Sequence, residues 1–111
     1  MPALQEPTFL ILTALAKRSL HGYGVLQEVA ALSDGQVVLG AGTLYGALDR
    51  LAEQGLIEVD REEAVDGRLR RYYRLTDDGA GRLAAEVDRL RRNASAAAAR
   101  LRYRATTPRT A

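Results

Sequence analysis

AGTLYGALDRLAEQGLI, residues 41–57, is the stretch whose reading decides the fold. Leu44, Ala47, Leu48 and Leu51 recur at i, i+3, i+4 and i+7, one apolar stripe that predicts an amphipathic helix. Gly55 stands at the left-handed stop position, and Leu56 supplies the apolar contact just beyond it. The other side of the first turn holds Thr43, Tyr45 and Gly46, with Ala41 and Gly42 just before. A glycine inside a helix costs about 1 kcal/mol against alanine. Core filling gives no reason for it; a turn kept bare for another molecule does.

Downstream, LIEVDREE (56–63) sets Ile57 and Val59 against Glu58 and Asp60, the alternation of a half-buried strand. Asp66-Gly67 is a hairpin signal, and RLRRYYRLT (68–76) is the return strand, with Tyr73 and Leu75 on its core face. Upstream, a second helix starts near His21 with Ser19 as its cap. Tyr23, Leu26, Val29, Ala30 and Leu32 form its inner face, and SDG (33–35) ends it. QVVL (36–39) reads as a short extended piece. The first helix spans about Glu6 to Lys17, with Pro7 tolerated in its first turn. Phe9, Leu10, Ile11, Leu12 and Leu15 point nearly all round it, so a second chain packing on it would solve its burial.

After the hairpin, Thr76 caps a long last helix, with Asp77 and Asp78 where the dipole favours anions. Leu83, Val87, Leu90, Ala94, Ala97 and Leu101 follow in steps of 4, 3, 4, 3 and 4, the 3.5-residue seam of helix against helix. Three helices, a hairpin and a long helix make a mainly α protein with a β-hairpin (α+β). It is a winged helix-turn-helix over residues 1–76, followed by a dimerisation helix over 77–104 and a flexible tail over 105–111. The expected dimer interface is Phe9, Leu12, Leu83, Val87, Leu90, Ala94, Ala97 and Leu101, the two alanines letting backbones approach.

Composition narrows the function. The 111 residues suit one domain, and 47% hydrophobic content argues against disorder. There is no cysteine and one histidine, so disulfides, thiolate metal sites and histidine dyads are excluded. No catalytic, cofactor or metal constellation accompanies His21, which reads as structural or phosphate-facing rather than catalytic. The run FLILTALA (9–16) is too short to span a bilayer and has no cationic segment before it. A cytoplasmic, non-membrane, non-enzymatic protein is expected. Net charge is only +2, yet residues 68–74 carry four arginines and no acid, and seven arginines without an acid follow from Arg89. Such patches suit anionic partners, although the second also reads as a solvated face and tail.

In a helix-turn-helix the second helix of the motif enters the major groove by its N-terminal turn. Ala41, Gly42 and Gly46 would let DNA come close, Thr43 and Tyr45 would bond phosphate or touch bases, and Arg50 would reach the backbone. Asp49 and Glu53 would repel phosphates, so only the first turn inserts. Arg68, Arg70 and Arg71 are the wing's contacts to double-stranded DNA; Arg70 pairing with Glu62 or Asp60 across the hairpin is the alternative. A competing reading has the winged helix bind protein instead of DNA; the bare turn and wing arginines speak against it.

Three ordered motifs resemble the PadR family of bacterial transcriptional regulators. ILTALAKRSLHGYGVLQEV is similar to the family's first two helices, GTLYGALDRLAEQGLIE to its recognition helix and GRLRRYYRLTDDG to its wing. The resemblance covers about residues 8–82. Gly46 stands where the family usually has proline, Leu69 where the wing has proline, Arg71 where lysine is usual and Gly40 where a serine cap is common. The resemblance implies a homodimeric repressor of the short subfamily, associated with the nucleoid when bound to DNA. A small-molecule effector of unstated identity also enters through it. The mode in which flat drugs stack between tryptophans does not carry over, because the chain has no tryptophan.

Overall fold

A computed structural model describes residues 2–107. The order is α1 (Glu6–Lys17), β1 (Leu20–His21), α2 (Gly22–Leu32), α3 (Ala41–Glu53), β2 (Ile57–Val65), β3 (Arg68–Leu75) and α4 (Asp77–Thr106). The core joins Ile11, Leu12 and Leu15 of α1 to Val25 and Val29 of α2, the Leu44–Ala47–Leu48–Leu51 stripe of α3, and Leu20, Ile57 and Tyr73 of the sheet. Leu44 and Leu48 are fully buried, each worth about 1.5–3 kcal/mol relative to exposure.

Helix α3 ends as its sequence dictates. Gly55 has φ +75°, its N–H donates to the Ala52 carbonyl at 3.0 Å, and the Leu56 N–H donates to the Leu51 carbonyl at 3.0 Å. This pair of reversed bonds is the Schellman closure. The hairpin turn places Asp66 at φ 51° and Gly67 at φ 75°, the two positive angles that a tight hairpin turn of the type I′ class needs. Thr76 caps α4, its hydroxyl accepting from the Gly79 N–H at 3.0 Å and donating to the Gly55 carbonyl at 2.6 Å. A side chain at Gly79 would collide with the Leu56 carbonyl, so the start of α4 lies directly on the end of α3.

Several local expectations are corrected. Strand β1 is absent from the sequence reading. It pairs Leu20 with Tyr73 and His21 with Tyr72, making a three-stranded antiparallel sheet ordered β1-β3-β2. Ser19 does not cap α2: its hydroxyl donates to Asp60 across the sheet at 2.9 Å, and His21 holds the cap position without a side-chain bond. Tyr23 and Leu32 lie outside the core, 63% and 46% exposed, while Val25 is buried in their stead. The QVVL segment is not a strand; the Val37 N–H is held by the Ser33 hydroxyl at 2.9 Å, and Val38 faces solvent. Val59 is 42% exposed on the edge strand of the sheet, and beyond it the register shifts before Arg61, a bulge that breaks the strict alternation.

Helix α4 has two unlike halves. Near its start Glu86 is 2% exposed, paired with Arg82 at 3.4 Å and with Arg89. Arg82 also donates to the Pro2 carbonyl, so the cluster binds the segment before α1 to α4. The Arg89 hydrogen bond, ahead of a Leu4 backbone bond and Arg82, holds the Glu86 carboxyl down from 4.5 to about 2. Beyond Leu90 almost every residue is exposed, Leu101 at 64%. This half extends from the body and stretches the molecule to 70 Å. Ala105 and Thr106 still belong to α4; positions 108–111 of the expected tail lie outside the described residues. Leu12 is fully buried in the chain's own core, so it is not available to a partner, whereas Leu90, Ala94, Ala97 and Leu101 are solvent-facing. Among the described residues no helix is long and apolar enough to cross a membrane.

Candidate nucleic-acid interface

The first turn of α3 is open. Ala41, Gly42 and Thr43 are exposed, and Tyr45 is half-exposed. Gly40 occupies the cap position without a side-chain bond, which leaves the first helical amides facing solvent, where a helix end favours anions. A Cβ at Gly40 or Gly42 would meet nothing within 4 Å, so the chain's own packing does not require either glycine.

Tyr45 is placed by a glycine the sequence reading did not connect with it. A Cβ on Gly22 would lie 2.5 Å from the Tyr45 hydroxyl. The ring therefore lies over the start of α2, and His-Gly-Tyr at 21–23 and Thr-Leu-Tyr at 43–45 are two sides of one contact. Gly46 acts differently. A Cβ there would lie 3.5 Å from an Arg50 guanidinium nitrogen, so Arg50 folds back along the bare side of the turn and brings its charge towards the N-terminal end.

A groove of about 750 Å³ separates α3 from the hairpin. Its walls bring together Tyr45 with Arg68, Arg70 and Arg71, four of the expected contacts, and add His21, Tyr23, Asp49 and Leu69. Ala41, Gly42, Thr43, Gly46 and Arg50 lie outside the groove walls, on the same helix. Asp49 places a carboxylate in the same wall.

The hairpin sorts its charges along its length. In the stem, Arg74 bonds Glu58 at 2.8 Å and Asp60 at 3.2 Å, and Arg61 bonds Glu63 at 2.7 Å and Asp60 at 3.2 Å. Arg71 bonds Glu62 at 3.2 Å. The cross-strand partner of Glu62 is thus Arg71, not Arg70, because Arg71 is directly opposite Glu62 and Arg70 opposite Glu63. Glu63 turns instead to Arg61. The Ser19 hydroxyl, ahead of Arg74 and Arg61, holds the Asp60 carboxyl below its ordinary range. At the tip, Arg68 and Arg70 have no carboxylate at ion-pair distance among the described residues.

His21 packs at the base of the wing, its ring 5.3 Å from that of Tyr72, and the Arg61 guanidinium lies 3.9 Å over the Tyr72 ring. Burial, then the Arg70 charge, lowers its pKa, so the neutral imidazole is favoured near pH 7. Among the described residues no carboxylate or hydroxyl bonds it, and no group of His, Cys, Asp or Glu could hold a metal ion. The site is a surface of donors and small residues, suited to binding a polyanion.

Known proteins share this fold. A family model described as the transcriptional regulator PadR-like family matches residues 11–85. A transcriptional regulator of Mycobacterium tuberculosis is 43% identical over 79 residues, covering 71% of this chain and 68% of that protein. An uncharacterised protein of Lysinibacillus sphaericus is 30% identical over 70 residues, 63% of this chain and 64% of that one, so the match spans under two thirds of it. Among solved structures, a PadR family transcription regulator from Clostridium difficile superposes with a TM-score of 0.73 at 25% identity, over 87% of this chain and 99% of that one. Bacillus subtilis PadR, crystallised with operator DNA, shares the fold with a TM-score of 0.67 at 23% identity, over 75% of this chain and 47% of its own.

Proposed function

The chain belongs to the PadR-like family of transcriptional regulators, a family of regulators rather than enzymes, and from that premise we propose that it represses transcription as a homodimer on a near-palindromic DNA operator. The observation that carries the proposal is the pairing of Tyr45, on an open α3 turn, with two wing-tip arginines that have no carboxylate at ion-pair distance among the described residues, on either side of one groove. The α3 turn would read base edges in the major groove, while Arg68 and Arg70 would track the neighbouring phosphates or the minor groove. Ala41, Gly42, Thr43, Tyr45, Gly46 and Arg50 supply the first surface, with Arg71 as a weaker member of the second because Glu62 competes for it.

The distal half of α4 supports the homodimer. Leu90, Ala94, Ala97 and Leu101 are exposed and continue the stripe that Leu83 begins against the body and half-buried Val87 extends. A second copy would cover it, with Phe9, half-buried on α1, at the margin. Two recognition helices would then meet successive major-groove faces about 34–36 Å apart. Release by a small-molecule effector belongs to the proposal through the family resemblance, without the tryptophan stacking this chain lacks.

Selection of duplexes from a random pool by the purified protein, followed by gel shifts with the DNA upstream of its own gene, tests the proposal. Two related half-sites one helical turn apart are expected. Binding without sequence preference, or a monomer of 12.1 kDa on sedimentation at micromolar concentration, would overturn it.

A further inference from the structure

Leu69 is 66% exposed, two residues beyond the hairpin turn. Along β3 it shares a face with Arg71 and Tyr73, and its cross-strand partner is the small Ala64, so its own chain leaves the isobutyl group uncovered. It forms part of the groove wall opposite Tyr45. On either side stand Arg68 and Arg70, the two wing arginines without carboxylate partners. Arg68 and Arg70 project to the other face of β3 but line the same groove, so the narrow end of the hairpin carries an apolar side chain and two cationic ones, a set that matches one surface of DNA. The minor groove is about 6 Å wide, with strongly negative walls and a floor that carries acceptors but no amino group wherever guanine is absent.

Base-pair chemistry gives this placement a consequence. On the minor-groove floor, A·T and T·A pairs show only acceptors, whereas G·C adds the guanine N2 amino donor. Leucine cannot accept a hydrogen bond, so seating it over guanine would take that amino group from water and leave it unpaired. Given the DNA-binding reading above, we propose that Leu69 is a specificity residue. It lies on the minor-groove floor at the base pair the wing reaches and selects against guanine there.

The experiment uses the full chain and the operator chosen by the wild type, with A·T, G·C or I·C at each outer position in turn. Inosine lacks only the N2 amino group and leaves the major-groove edge as guanine presents it. The wild type should favour A·T and I·C over G·C by roughly fivefold or more at one outer position per half-site, the lower end of ordinary base discrimination. Leu69→Ala should lose most of that preference, and Leu69→Gln, whose carbonyl accepts from the amino group, should lose or reverse it. The salt slope should be unchanged in both, because no phosphate contact is lost. Equal melting temperatures for the variants and the wild type would establish that the fold is retained, as a side chain this exposed leads one to expect.

Leu69→Ala keeping the wild-type preference would overturn the assignment. So would inosine behaving as guanine, which would move the discrimination to the major groove, or a slope that falls as for loss of an arginine. A wild type that binds no duplex would overturn the proposed function, and this inference with it; a wild type that binds its operator with no outer-position preference would overturn the inference alone.

Discussion

The stem and the tip of the hairpin are built from the same residue types and use them differently. In the stem, Arg61, Arg71 and Arg74 each face a carboxylate within 3.2 Å. At the tip, Arg68 and Arg70 face none among the described residues, although Glu63 lies directly across from Arg70 in register. Arg61 lies two residues before Glu63 on the same face of β2, and it is Arg61 that bonds Glu63. Helix α4 repeats the contrast on a larger scale. Its proximal half is fixed to the body by the Glu86 cluster, and its distal half presents apolar and cationic side chains to solvent. In both elements an internally satisfied part is the stem that carries an unsatisfied one.

The sharpest way to break this contrast is at the distal end of α4. Leu90→Glu should yield a monomer on sedimentation and abolish operator binding. The melting temperature of the winged domain should barely change, since Leu90 is already 40% exposed within one chain. A carboxylate enclosed in an apolar seam costs several kcal/mol unless the helices part. A variant that still dimerises would place the interface elsewhere.

Next in size is the paired substitution of Arg68→Ala and Arg70→Ala. Affinity for operator and for unrelated DNA should fall together. The slope of log affinity against log salt should shrink by about 0.9 for each phosphate contact removed. An unchanged slope would mean that the tip arginines are merely solvated, and the contrast between stem and tip would lose its functional meaning.

Glu86→Gln tests the stem of α4 through stability rather than binding. The folded pKa of Glu86, about 2, is below the ordinary 4.5. Its contribution to stability is therefore complete above about pH 4.5 and disappears as pH falls towards 2. The variant should melt at a lower temperature than the wild type at pH 7, and the gap should close across that acid window. A gap independent of pH would show that the carboxylate charge does not hold the N-terminal segment to α4.

Arg71→Ala should have the smallest effect. Its guanidinium is exposed and already shared with Glu62, so the salt slope should change by less than for either tip arginine. A change as large as theirs would move the boundary between stem and tip by one residue.

The main elements were legible because each carries a local signal that tertiary context reinforces. The α3 stripe, the Gly55 stop, the Asp66-Gly67 turn and the Thr76 cap need only neighbours within a few residues, and all stand as read. Errors arose where a residue's partner lies far along the chain. Ser19 is next to a helix start, as a cap should be, yet its hydroxyl goes to Asp60, 41 residues away. Leu12 belongs to an all-round apolar helix, and only packing decides that it faces the core while Phe9 stays half-buried. Glu86 carried a weak signal, an arginine four residues before and three after, but nothing local says that such a cluster is buried. Within the candidate interface the α3 turn and the wing arginines were legible as types. Leu69 was noticed only as a departure from the family's wing proline.

By itself, the sequence determined the winged helix-turn-helix, the helix that would enter DNA, the wing and the long terminal helix. Periodicity, capping and turn geometry are short-range properties, written within a turn or two of the chain. Tertiary structure alone decided which charges are satisfied. It set Arg71 on Glu62, kept Arg68 and Arg70 apart from every carboxylate among the described residues, seated Tyr45 over Gly22, and left Leu69 bare. Those outcomes depend on the hairpin register and on the packing of α2 against α3. Ion pairs and steric fit act over a few ångströms in space, whatever the separation along the chain, so the sequence becomes informative about them only after the fold has brought the partners together.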